Sequence, residues 1–174
     1  MPTIDFGGVT NAPNNQSQLT VSGNTFDINF GLLIHVQNPN VVGFDLSSIN
    51  ATAYYPEAGS EPVGGGFMDH QYVPRYSNFN FTYPFAIKYN AAQDTDRTLL
   101  HLLVQKCGLT GGQPQQLTIN YVINLAVKVL FVTVHPTITD STSFVCPVQS
   151  GASLPGLLAN NNSPLAGLLA STQT

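Results

Sequence analysis

The chain has 174 residues, a length that fits one domain, with 43% apolar residues, only 8% charged residues and a net charge of −4. Polarity comes from neutral groups, 16 Asn and 11 Gln among them, where a typical globular protein carries about 25% charged residues. This excludes long-helix and coiled-coil proteins, the abundant Phe and Tyr exclude disorder throughout, and five dispersed cations (Arg75, Lys88, Arg97, Lys106, Lys128) exclude nucleic acid as a partner.

Residues 1–16 read as a leader or linker, and Met1 to Phe6 has neither the basic nor the apolar region of a signal peptide. From Phe26 to Val36 every second residue is apolar, the period of a half-buried strand, and the run ends on the turn signal Asn38-Pro39-Asn40. A second strand runs from Val42 to Tyr55, with a slip around Ser47-Ser48 that predicts a bulge. Pro56 to Gly66 reads as loop, Phe67 to Val73 as a short edge strand, and Tyr76 to Tyr89 as a strand that Pro84 marks as edge or bulged.

Asp94 to Cys107 predicts one helix, with Asp94 as N-cap, Leu99, Leu100, Leu103, Val104 and Cys107 at three-and-four spacing, and Gly108 as the stop. Leu117 to His135 is the longest strand candidate. It is apolar on both faces from Val129 to Val134, which predicts a mid-sheet position or a covered groove. Thr137 to Cys146 is the last strand. Several strands, turn-rich joints and one helix predict an all-β sandwich. Beyond Pro147 the composition shifts to a low-complexity tail, 148–174, in which Gly-Leu-Leu-Ala recurs at 156 and 167; it reads as an unpacked terminus or as a weak amphipathic segment.

Two cysteines, Cys107 and Cys146, have no metal-ligand spacing around them and read either as buried thiols or as one disulfide. Four glycosylation sequons, at Asn15, Asn50, Asn80 and Asn161, favour the disulfide and a lumenal or extracellular setting. Catalytic signatures are missing. Gly64-Gly65-Gly66 lacks the setting of a dinucleotide loop and reads as a flexible hairpin. Of the four histidines (His35, His70, His101, His135) only His70 has an adjacent carboxylate, Asp69, and neighbours on a strand point to opposite faces. Asp94-x-Asp96 lacks the remaining oxygen ligands of a calcium loop, and a helix cap explains it more simply. The expectation is a noncatalytic protein with no cofactor and no metal.

Phe30-Gly-Leu-Leu-Ile-His-Val-Gln-Asn-Pro-Asn40, followed by Phe44-Asp-Leu and Ala51-Thr-Ala-Tyr-Tyr55, resembles the late embryogenesis abundant group 2 domain, also called the water stress and hypersensitive response domain. The likeness covers residues 17–147, and Leu99-Leu100-His101 through Cys107-Gly108, with Cys146-Pro147, looks most similar to fungal-type, membrane-anchored members. The resemblance implies a seven-stranded immunoglobulin-like or fibronectin-III-like sandwich in the vacuolar or endomembrane lumen or on the extracellular face of the plasma membrane, tethered by a transmembrane helix outside this chain. It also implies an apolar groove between the sheets that binds or moves lipid. The groove is expected at Phe30, Leu32, Ile34, Val127, Val129 and Phe131, although those residues read equally as plain core. A structural or stress-protective domain that contacts membrane proteins or cell-wall components is the second expectation.

Overall fold

A computed structural model describes residues 1–109 and 112–146. In chain order its elements are β1 (Thr3–Asn11), β2 (Leu19–Ser22), β3 (Thr25–Asn38), β4 (Phe44–Tyr54), β5 (Pro62–Met68), β6 (Gln71–Val73), β7 (Ser77–Asn90), α1 (Thr98–Cys107), β8 (Gln116–Val129), β9 (Val132–Val134) and β10 (Thr137–Val145). The all-β class with one short helix holds. Among the described residues ten strands form it, where seven were expected: seven follow one antiparallel path, β1-β3-β7-β5-β4-β8-β10, while β2, β6 and β9 pair at its flanks.

The path bends between β7 and β5. Those strands share only two residue pairs, Gly64 with Ile87 and Gly65 with Ala86. A Cβ on Gly64 would lie 2.2 Å from the Ala86 carbonyl oxygen, one on Gly65 2.2 Å from that of Ala51, and one on Gly66 2.1 Å from that of Pro84. The glycine run is thus a strand squeezed between β4 and β7, not the flexible hairpin its composition suggested, and its lack of side chains is what permits the close approach. Beyond this seam the halves β1-β3-β7 and β5-β4-β8-β10 turn their apolar faces toward each other. Phe30 on β3 meets Phe144 on β10 with ring centroids 5.5 Å apart, although these strands are far apart along the path.

The period-two strands form for the expected reason. Phe26, Ile28, Phe30 and Val36 of β3 are buried, as are Tyr83, Phe85, Ile87 and Tyr89 of β7, and β3 pairs β7 along its full length. The predicted bulge in β4 appears as a register shift between Leu46 and Ser48 against β8. Pro84 sits where β7 keeps β3 as a neighbour but has no ladder to β5, so it needs no amide donor on that side.

Several segments depart from the sequence reading. Residues 3–11, expected as leader, form β1 and pair with β3; a bulge between Phe6 and Gly8 breaks the alternation that would have announced the strand. Residues 62–66, expected as loop, belong to β5, and the edge strand expected from Phe67 to Val73 is split: Phe67 and Met68 end β5, and Gln71 to Val73 form β6, which pairs Phe44 to Leu46 of β4. The long strand expected to His135 turns back at Leu130-Phe131, and β9 runs antiparallel to β8. The helix starts at Thr98, not Asp94, but Asp94 still caps it: its carboxylate accepts the amides of Leu99 at 3.2 Å and Leu100 at 2.9 Å. Helix α1 buries Leu100, Leu103, Val104 and Cys107. Cys107 is disulfide-bonded to Cys146, Cα to Cα 5.1 Å, which staples the helix end to the end of β10. The low-complexity tail lies outside the described residues.

Candidate functional site

Where the halves face each other they do not close fully. A cavity of about 140 Å³ remains between them, opening between the outer strands β1 and β10. Its β3 wall is Leu32 and Ile34, and its β7 wall is Phe81, Tyr83 and Phe85. Across the gap, Leu46, Ile49 and Ala51 come from β4, Ile119, Ile123 and Leu125 from β8, and Phe144 from β10. Ile4 and Phe6 of β1 and Ile138 of β10 stand at the mouth, each roughly two-fifths exposed. The charged residue in this lining is Asp5, which is exposed.

Two tyrosines bring hydroxyls to the walls. The Tyr83 hydroxyl donates to the Ile49 carbonyl at 3.1 Å and accepts the Ala51 amide at 3.2 Å, a side-chain tie from β7 to the backbone of β4. Burial pushes its ionisation far above the usual phenol range. Tyr121 is raised as well, by burial and then by the Asp140 carboxylate. Both hydroxyls therefore stay neutral at physiological pH, and the walls accept apolar surface without a charge to desolvate.

Of the six expected groove residues, Leu32 and Ile34 line this cavity. Phe30 is 1% exposed and belongs to the packed core. Val127 is half-buried against the core and outside the lining. Val129 and Phe131 are exposed, at 37% and 99%, so the prediction that Val129 to Val134 lies mid-sheet or under cover fails. Apolarity on both faces marked an outward hairpin end. The lining from β7, β8 and β10 alternates in sequence, so the signal was present, but alternation alone does not say where facing strands stop short of contact.

The Asn-Pro-Asn turn has a definite mechanical role. Asn38 is fully buried, and its side-chain amide donates to the carbonyls of Val42 at 3.0 Å and Pro74 at 2.9 Å, while its side-chain oxygen accepts the Asn40 amide at 3.1 Å. One side chain thus satisfies three backbone groups and ties the β3–β4 connection to the approach of β7. Pro39 and Asn40 are exposed. Among the sequons, Asn15, Asn50 and Asn80 are exposed, and Asn80 meets the ring of His35 through its side-chain oxygen. Asn161 lies outside the described residues.

The remaining polar groups do not converge. His70 pairs with Asp45 at 2.9 Å, not with its neighbour Asp69. Asp96 accepts the Thr98 amide, and that hydrogen bond holds its carboxyl below the usual range. Among the described residues no three His, Cys, Asp or Glu side chains gather where they could hold a metal ion, and no helix is long and apolar enough to cross a membrane.

No protein-family model matches the chain, and no curated protein matches it. Solved structures do align with it, three of them as follows. One is a protein from Archaeoglobus fulgidus at 13% identity and TM-score 0.46, covering 86% of this chain and 98% of that one. Another is an Arabidopsis thaliana protein solved in solution, at 12% identity and TM-score 0.41, covering 86% and 87%. The third is named as a candidate late embryogenesis abundant protein, at 10% identity and TM-score 0.32, covering 84% and 73%.

Proposed function

We propose that this domain is a noncatalytic binding module that takes the apolar end of a lipid-like ligand, such as an acyl chain terminus, into the cleft between its two half-sheets. The observation that carries this reading is the cleft itself: about 140 Å³ of space walled by aliphatic and aromatic side chains and open at one side. An apolar cavity of about 150 Å³ stays dry and accepts a benzene-sized group. The cleft therefore clasps one end of a chain or ring, and the remainder of the ligand stays outside the β1–β10 mouth.

The same proposal places the domain in a lumen or outside the cell, tethered to a membrane by a segment outside this chain. The Cys107–Cys146 disulfide and the exposure of Asn15, Asn50 and Asn80 support that setting. The sequence likeness to the fungal-type group 2 domain points the same way.

The test is extraction of the purified protein after incubation with mixed lipids, read by mass spectrometry. The unaltered chain should retain acyl lipid, and Leu32→Trp/Ile34→Trp, which fills the cleft from β3, should retain far less at an unchanged oligomeric state. Equal retention by both proteins, or none by either, would sink the proposal.

A further inference from the structure

The β8–β9 hairpin ends in Val129-Leu130-Phe131-Val132, and every one of these side chains is exposed, Leu130 at 66%, Phe131 at 99% and Val132 at 61%. Pairing of β8 with β4 stops at Lys128, opposite Asp45, so this tip stands clear of the sheet. Leu130 has φ 55 and Phe131 does not share the positive sign, the pattern of a type II′ turn. Glycine is the ordinary residue at that first position, and a leucine there is strained. The tip thus forgoes both the relaxed turn residue and a polar surface.

We infer that this hairpin tip is an interfacial anchor that enters the headgroup boundary of an anionic lipid bilayer. Its shape argues for a bilayer over a protein partner. A stable protein interface covers about 800 Å² on each side with oriented polar contacts, whereas this is a protruding point of four apolar side chains with no polar side-chain atom. In-register pairing sorts the hairpin further. Val129 with Val132 and Val127 with Val134 share one face, and Lys128 with Thr133 the other. Lys128 is exposed directly behind the tip, and among the described residues it makes no ion pair. Its register neighbour Asp45 is held by His70 at 2.9 Å. With the tip buried in the acyl boundary, the Lys128 ammonium lies at the level of lipid phosphates.

Co-sedimentation of the full chain with phosphatidylcholine vesicles and with mixed phosphatidylcholine–phosphatidylserine vesicles tests this. The unaltered protein should bind the anionic vesicles, and Leu130→Gly/Phe131→Asn should lose roughly tenfold or more of that partitioning. That variant installs the residues a type II′ turn prefers, so its melting temperature should hold or rise, which separates lost insertion from lost folding. Lys128→Gln should weaken binding to the anionic vesicles and leave binding to neutral ones unchanged. No vesicle binding by the unaltered chain, or equal binding by the Gly-Asn variant, overturns the inference. So does a tip-dependent dimer without vesicle binding, which would assign the tip to a second copy of the chain.

Discussion

Replacing Tyr83 by phenylalanine isolates one hydroxyl at the point where the half-sheets are held together. The ring stays, and with it the apolar contact, but the 3.1 Å bond to the Ile49 carbonyl and the 3.2 Å bond from the Ala51 amide are lost. Ile49 and Ala51 are each 6% exposed, so water does not freely replace the partner. A typical hydrogen bond contributes about 1 kcal/mol net, and a buried backbone group left unpaired costs about 1–3 kcal/mol. Both bonds are longer than the usual optimum, which puts Tyr83→Phe at the low end of the combined range, about 2 kcal/mol. With a urea slope of about 2 kcal/mol per molar, the denaturation midpoint should fall by about 1 M at constant slope. A shift below about 0.25 M, roughly 0.5 kcal/mol on the same slope, would refute the argument that this hydroxyl ties β7 to the backbone of β4.

Reduction of the Cys107–Cys146 bond, which spans 39 positions, should cost about 4 kcal/mol by chain entropy and lower the melting temperature by roughly 8–16 °C. Equal melting of reduced and oxidised protein, checked by alkylation mass shifts, would contradict it. Asp27 on β3 lies in register with Lys88 on β7; burial raises its carboxyl above 3.8, and Lys88 partly offsets the rise. Below pH 3.8 the folded and unfolded states both hold the proton, and as pH climbs through the raised folded value the unfolded state gains relative to the native one. The advantage of Asp27→Asn over the unaltered chain, read by urea melts at about pH 4 and about pH 7, should therefore grow with pH. A gap that stays constant or shrinks would reject the burial argument.

Much of the scaffold was legible because its signals are local. The alternation of β3 and β7, the slip at Ser47-Ser48 and the Asn-Pro-Asn turn each state their conformation within a few residues, and the helix carries its cap and stop. What escaped depends on distant partners. Strand β1 shows only Ile4 and Phe6 before a bulge shifts its phase, and it is a strand because β3 lies open beside it. Gly64 to Gly66 has no side chains to display a period, and its role is set by the carbonyls of Ala86, Ala51 and Pro84. At Leu130-Phe131 the chain turns without glycine or asparagine, so the apolar run read as uninterrupted strand. The cleft was half visible: Leu32 and Ile34 were expected on its wall, but the opposing set came from β4, β8 and β10, because facing distance is a property of two sheets and not of any one strand.

The glycine seam also sets how closely the two half-sheets approach. No other hydrogen-bonded ladder among the described residues joins them, and the ties between them elsewhere are made by side chains, the Tyr83 hydroxyl on the backbone of β4 and Phe30 against Phe144. A side chain at Gly64 or Gly66 would meet a β7 carbonyl oxygen at 2.2 or 2.1 Å and act as a wedge, so the residues that let the strands meet also hold the spacing from which the cleft opens.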